Sequence, residues 1–334
     1  QLSFAPSAPE PALYLANQGV NAGEIRKLDI SGTDPVTVYK TAIDSSGTDL
    51  QVKQTVRDAD GNVFVLGTTS GNVAGQINQS SKDVMLQKYD SAGNLLWSKL
   101  MGATDKAEGL ALAVDSKGAA VVAGQLTGKI GTAPSAGGLD SYVMKVNANG
   151  EEAFIRQVGS ALEDGATALT VGPDDAIYVG GYVKGRMAGA AGSIGGTDGY
   201  VMKFGATGTR AWTRQFGGAG EDKVASLAIG DDGSLIVASN EGGEAVVRKY
   251  ATSDATSAAV WVKSLGPLGA GGTIGGVAVD GGKIYLAGGT ANAALNGGAG
   301  IATAHSGGQD GFVAAFTDAG SSATTDFVTY LGSG

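Results

Sequence analysis

Four aspartates carry charge in a repeated setting. Asp83, Asp140, Asp198 and Asp310 each open a short apolar run (DVMLQKY, DSYVMKV, DGYVMKF, DGFVAAF), and the last three follow a Gly–Gly pair. A carboxylate behind a glycine loop can ligate a cation, or it can accept backbone N–H bonds from the loop as Asx-type turns do. A catalytic or binding centre is needed once per molecule, whereas these acids recur at the same place, so the structural role is the better reading. A second set, Asp105, Asp164 and Asp222, lies in turns further along. Around Asp222, GGAGEDKVA fits the G-G-x-G-x-D-x-U-x pattern of calcium-binding β-rolls. Its counterparts MGATDKAEG and VGSALEDGA do not fit, and a β-roll needs tandem copies. Asp105, Asp164 and Asp222 are therefore weak metal candidates, with calcium as the cation they would suit.

Other chemistry is thinner still. His305 is the single histidine, set in a Gly/Ala loop, and reads as a solvated loop residue; a Ser–His–Asp arrangement would have to depend on it. The chain has no cysteine, which excludes disulfides, thiolate metal sites and a cysteine nucleophile. No G-x-x-x-x-G-K-[ST] is present to cradle phosphate. The acid pairs Glu163–Asp164 and Glu221–Asp222 sit in turns, where the burial behind a raised catalytic pKa is not expected. Lys88, Lys145 and Lys203 each lie five residues after an entering acid, with Lys249 similarly placed after Glu244. That odd separation puts acid and lysine on opposite strand faces, so they cannot form an in-strand pair. Arg186 and Arg210 are the least repetitive basic residues, and neither has a spacing that defines a site.

The elements that must hold these residues are strands. Apolar segments recur from Ala12 (ALYLAN), Asn62 (NVFVLG), Ala119 (AAVVAG), Ala176 (AIYVGG), Ser234 (SLIVAS) and Lys283 (KIYLAG). Each recurrence brings a preceding apolar stretch, a Gly-rich loop, the acid-led run and a closing segment such as LLWSKLMG or AWTRQFGG. Four short segments per repeat of roughly 50 to 60 residues, with no helical period, predict an all-β fold: a β-propeller of four-stranded antiparallel blades. Six blades are counted, approximately residues 1–47, 48–103, 104–161, 162–220, 221–269 and 270–334, in a single propeller domain. A seventh blade from further sequence is compatible with the repeat. Trp97, Trp212 and Trp261 start the fourth segment, where Phe154 and Phe327 stand in other repeats, and that periodicity predicts packing between blades.

The unit D-x-x-x-x-L-A-V-D-x-x-G-x-x-Y-V-x-G, then G-G-x-D-x-Y-V-x-K, then L-L-W-S-K-x-x-G, resembles the SBBP-type propeller repeat of secreted and surface bacterial proteins. Blades 1 and 5 depart from it, lacking the long loop and carrying Glu24 and Glu244 in place of the entering aspartate. The resemblance implies an extracellular or cell-surface location in a bacterium and leaves activity open, because propellers host many functions.

Composition narrows the partners. The formal net charge is −9 and the pI about 4.7, so nucleic acid and anionic membrane are disfavoured. No apolar run reaches the ~18 residues that span a bilayer, so no membrane insertion is expected. APSAPEPA (residues 5–12) reads as an extended connector, and the opening at Gln1 reads as a segment of a larger protein.

In a propeller the loops between second and third strands share a face with the blade junctions. Here residues 70–82, 126–139, 183–197 and 290–309 supply long loops on that face. The sequence therefore predicts a non-catalytic scaffold that meets a protein partner, or a second copy of itself, through the long-loop face. The alternatives are a propeller enzyme (hydrolase, lyase or quinoprotein-like oxidoreductase), which should show singular polar residues around its channel, and a calcium-stabilised ligand- or glycan-binding module. No catalytic or cofactor-binding residue is assigned.

Overall fold

The computed structural model describes residues 2–4, 12–18, 23–44, 49–132, 135–190, 195–253, 258–295, 297–298 and 300–332, with backbone alone for the first two segments. The connector predicted at residues 5–12 lies outside them except for Ala12, and the long loops are described only in part. All regular structure among these residues is β, as β-branched and aromatic runs cut by Gly, Asp and Asn turns dictate.

Gln1–Ala166 form one compact unit and Thr167–Gly334 a second. The first unit contains β1 (Leu2–Phe4), β2 (Ala12–Gln18), β3 (Gly23–Asp29) and β4 (Val36–Ala42), which form one sheet. A second sheet comprises β5 (Gln51–Arg57), β6 (Val63–Thr69), β7 (Asp83–Tyr89) and β8 (Leu95–Met101). A third comprises β9 (Lys106–Val114), β10 (Ala120–Thr127), β11 (Leu139–Val146) and β12 (Glu152–Val158).

β13 (Asp164–Val171) runs across the division and joins β14 (Ile177–Val183), β15 (Asp198–Phe204) and β16 (Arg210–Phe216). β17 (Asp222–Ile229), β18 (Leu235–Glu241), β19 (Glu244–Tyr250) and β20 (Trp261–Pro267) make the next sheet. The last holds β21 (Thr273–Asp280), β22 (Lys283–Thr290), β23 (Ile301–Thr303), β24 (Asp310–Asp318) and β25 (Ala323–Leu331).

Within each sheet, neighbours follow chain order and run antiparallel, with one departure from the four-strand reading. The long loop of the last sheet contributes β23, which pairs parallel to the edge strand β25 and sets Ile301 opposite Val328. A tripeptide with two β-branched residues, Ile301 and Thr303, covers that edge strand.

The middle strands β6 and β7 are buried along their whole length, so they read as continuous apolar runs rather than alternating ones. In the first unit Phe64, Leu66, Val84 and Leu86 pack with Leu112, Val122, Tyr142 and Met144. In the second unit Ile236, Val247 and Trp261 pack with Leu286, Phe312 and Phe316.

Side chains of first strands also stitch neighbouring sheets. Leu112 donates its N–H to Gln54 Oε1 at 2.8 Å, the Thr167 hydroxyl donates to Val224 O at 2.5 Å, and Val277 N–H donates to Ser226 Oγ at 3.1 Å. The first-strand hairpins turn on a left-handed residue: Gly61, Gly118 and Gly233 in three repeats, and Asp175 at φ 57° in the fourth.

Candidate functional site

The entering acids form a buried hinge where each long loop meets a third strand. Asp83 is fully buried; its Oδ2 accepts the Gln79 N–H at 2.7 Å and its Oδ1 the Ser80 hydroxyl at 2.5 Å. Asp310 repeats the arrangement with the N–H and hydroxyl of Ser306 at 2.6 and 2.7 Å, and these two bonds hold its carboxyl below the usual range. Asp140 Oδ2 accepts the Ala136 N–H, the Ser135 hydroxyl and Gln157 Nε2 at 2.9, 3.1 and 2.7 Å. Asp198 Oδ2 accepts Gln215 Nε2 at 2.7 Å.

Gln157 and Gln215 are residues that sequence reasoning missed. Each sits near the end of a fourth strand and holds both the acid and the root of the loop. Gln157 Nε2 also donates to Gly128 O at 2.9 Å, while its Oε1 accepts Ile130 N–H at 3.3 Å. Gln215 does the same with Gly185 O at 2.8 Å and Met187 N–H at 3.0 Å. In the last blade Tyr330 replaces the glutamine, its hydroxyl donating to Asn292 O at 3.0 Å and accepting Leu295 N–H at 2.9 Å.

The β5–β8 blade inverts the arrangement. Gln76 of the loop bonds Ser98 O and accepts Leu100 N–H at 2.7 Å. Beside each clamp one apolar loop residue is buried: Val73, Ile130, Met187 and Leu295. The repeated R-Q-[VF]-G in two closing segments is the signal that could have revealed the glutamines.

The junction acids do not form one set. Asp105 is exposed and accepts the Thr127 hydroxyl at 2.5 Å. Ala107 N–H donates to Lys82 O, and Asp222 N–H donates to Thr197 O, both at 2.8 Å, which makes Ala107 and not Asp105 the counterpart of Asp222. A turn of different length before the strand shifts the acid out of register.

Asp164 and Asp222 are buried, contrary to the solvated turns expected of the acid pairs. Asp164 accepts the Ser160 N–H at 2.5 Å and the Ser160 hydroxyl at 3.1 Å; Asp222 accepts Gly218 N–H at 2.7 Å. Burial pushes the Asp164 carboxyl up to about 6, opposed by the Ser160 bonds and helped by the charge of Asp140. Burial also raises Asp222, with Glu241 and Asp198 adding and the Gly218 bond opposing.

Asp140 Oδ1 and Asp164 Oδ2 stand 2.6 and 2.7 Å from one point, the position a Cβ on Gly159 would occupy. Only glycine fits between them. Among the described residues no group of three or more His, Cys, Asp or Glu is gathered for a metal.

The opposite ends of the third strands hold the lysines. Lys88 pairs with Asp58 at 3.3 Å, Lys145 with Asp115 at 2.7 Å and Lys203 with Asp174 at 3.9 Å, each acid coming from the first hairpin turn of the same blade. Lys249 is held between Asp232 at 2.7 Å and Asp318 at 2.6 Å. The aromatic that starts each fourth strand lies opposite the lysine: Trp97 with Lys88, Phe154 with Lys145, Trp212 with Lys203 and Trp261 with Lys249.

Trp97 Nε1 donates to Ala148 O of the next blade at 3.0 Å, and Trp261 Nε1 to Asp318 of the next blade at 3.2 Å. Trp212 packs beneath the Arg214 guanidinium, 4.2 Å from its ring centre. A cleft of about 220 Å³ beside Lys249 is lined by Asp231, Asp232, Asp318 and Gly282. Its lysine is held by carboxylates from two sides.

His305 corrects the reading of a solvated loop residue. Its side chain is 7% exposed, meets Tyr330 edge-on at 5.2 Å and accepts Gly307 N–H at Nδ1 at 3.1 Å. Arg186 is spent on Ala190 O at 2.9 Å, while Arg210 is exposed on an edge strand.

No family profile matches this chain. It is 35% identical, over 398 aligned residues, to the protein named regulatory protein FlaEY of Caulobacter vibrioides. The match takes in 99% of this chain and 41% of that relative, so the chain spans about two-fifths of the relative's length. Among solved structures, a protein from Lactobacillus plantarum superposes with a TM-score of 0.56 at 14% identity, covering 98% of this chain and 87% of that one. A puromycin-hydrolyzing peptidase of Mycobacterium tuberculosis reaches a TM-score of 0.52 at 14% identity, covering 97% and 44%. At these identities the likeness concerns the fold alone. The chain is an all-β propeller of four-stranded antiparallel blades, and its sheets are consistent with six to seven blades.

Proposed function

We propose that this propeller is a non-catalytic interaction module of a bacterial regulatory protein, contacting a protein partner through the face that carries the long loops. The observation that carries the reading is the repeated loop anchor: a buried apolar residue and a polar clamp fix the root of every long loop. Loops held in this way present a preformed surface, which lowers the ordering cost of binding. In the first unit that end exposes Ile77 and Leu162, at 73% and 54%, and in the second Leu331, at 62%. The similarity to the Caulobacter protein named as regulatory supports a regulatory setting. Likeness of the repeat unit to the SBBP type supports a site of action outside the cell or on its surface.

Site-specific photo-crosslinking in cells tests the proposal. A crosslinker at Ile77 or Leu162 of the full-length protein should trap a discrete partner, and one at Asp60, on the short-turn end, should not. Equal labelling from both ends, or a partner trapped from Asp60 alone, would move the interface elsewhere.

A further inference from the structure

We propose that Asp140 and Asp164 bind a hard divalent cation, calcium, where the start of β11 meets the turn from β12 into β13. The four hinges supply their own comparison. Asp83 and Asp310 have no second acid at the junction position, and each has both carboxylate oxygens bonded by loop groups. At Asp140 the junction residue is Asp164; there Oδ2 collects three donors, while the fully buried Oδ1 has no partner among the described residues. That oxygen and Asp164 Oδ2 converge on the same point beside Gly159.

No lysine or arginine among the described residues makes an ion pair with either acid. Two buried carboxylates facing one another without a counter-charge are costly at neutral pH. A cation between them would satisfy the orphan oxygen and cancel the repulsion together. The remaining oxygens at the hinge are neutral: the Ser135 and Ser160 hydroxyls, both already within hydrogen-bonding distance of the acids. Few charged ligands supplemented by hydroxyl, carbonyl and water oxygens suit the flexible shell of calcium better than the strict octahedron of magnesium. One blade further on, Asp222 stands in the same way against Gly217 and feels the charge of Asp198, but no Asp198 oxygen is among the atoms nearest that point.

The test is calorimetric titration of the chelator-stripped protein with calcium chloride, alongside thermal melts in EDTA and in millimolar calcium. Calcium should bind and raise the melting midpoint by several degrees. Asp140→Asn and Asp164→Asn should each abolish the same binding event, and Asp105→Asn should leave it intact. In EDTA, Asp164→Asn should melt no lower than the parent protein, since it removes a repelling charge; this separates a lost ligand from a lost fold. The proposal is overturned if calcium neither binds nor shifts the melt, or if binding survives in both hinge variants. It is also overturned if lowering the pH from 7 to 5 stabilises the protein equally with and without calcium, the signature of a shared proton.

Discussion

Lys249 places a charge in the interior next to Trp261, and its cost is met by Asp232 and Asp318 at 2.7 and 2.6 Å. Burial works to lower the lysine pKa, and the two carboxylates outweigh it and hold the ammonium above its ordinary value. Burial likewise works to raise Asp232, but Lys249 and Ser234 pull it down to about 2. A depressed carboxylate contributes stability that is present above its unfolded pKa of about 4 and lost as pH falls through the folded value. The denaturation midpoint should therefore drop between pH 4 and 2, and Asp232→Asn should flatten that limb. Because Asp232 is 54% exposed, the difference should be small, well below 1 kcal/mol after screening. The spacing of acid and lysine along one strand was legible in the sequence, and it showed that the two do not pair. One true partner lies across a hairpin, and Lys249 has a second in the next blade; only the folded arrangement reveals them.

At the scale of elements, the long loops behave as anchored extensions of the blades. Leu295 is fully buried in the last loop, against a core that includes Tyr330, whose hydroxyl takes its N–H. Truncating Leu295→Ala should cost about 2 to 4 kcal/mol, by lost burial and the cavity left behind. Chemical denaturation would measure it, and a loss under 1 kcal/mol would mean that the plug contributes little. Strand positions were readable because apolar runs and Gly-Asp turns alternate with a fixed order. The plugs were not, since Val73, Ile130, Met187 and Leu295 are isolated apolar residues in loops of different length with no common local pattern. Nor was the exchange of roles at Gln76 and Leu100, in which loop and strand swap clamp and target. β23 was hidden for the same reason: three residues paired parallel to an edge carry no periodic signal.

For the whole molecule, each compact unit has cores of its own, and stability in repeat folds is distributed over such neighbouring units. Leu286→Ala, in the core of the second unit, should cost about 2 to 5 kcal/mol. Amide hydrogen exchange in that variant should accelerate through β17–β25 while β5–β12 retain protection; uniform acceleration would show one cooperative block. The propeller class was visible in the sequence because every blade restates it, whereas a buried acid pair occupies only some junctions and disappears in an average over repeats. The hairpin Glu241–Glu244 joins β18 to β19 with no long loop at all, and its blade is still complete. Together with anchors confined to the loop roots, this separates two inheritances. The blade is held together by packing, so the loop beyond its anchor can vary without disturbing it. A lineage can thus change what the propeller recognises by replacing a few tip residues, without having to re-evolve its fold.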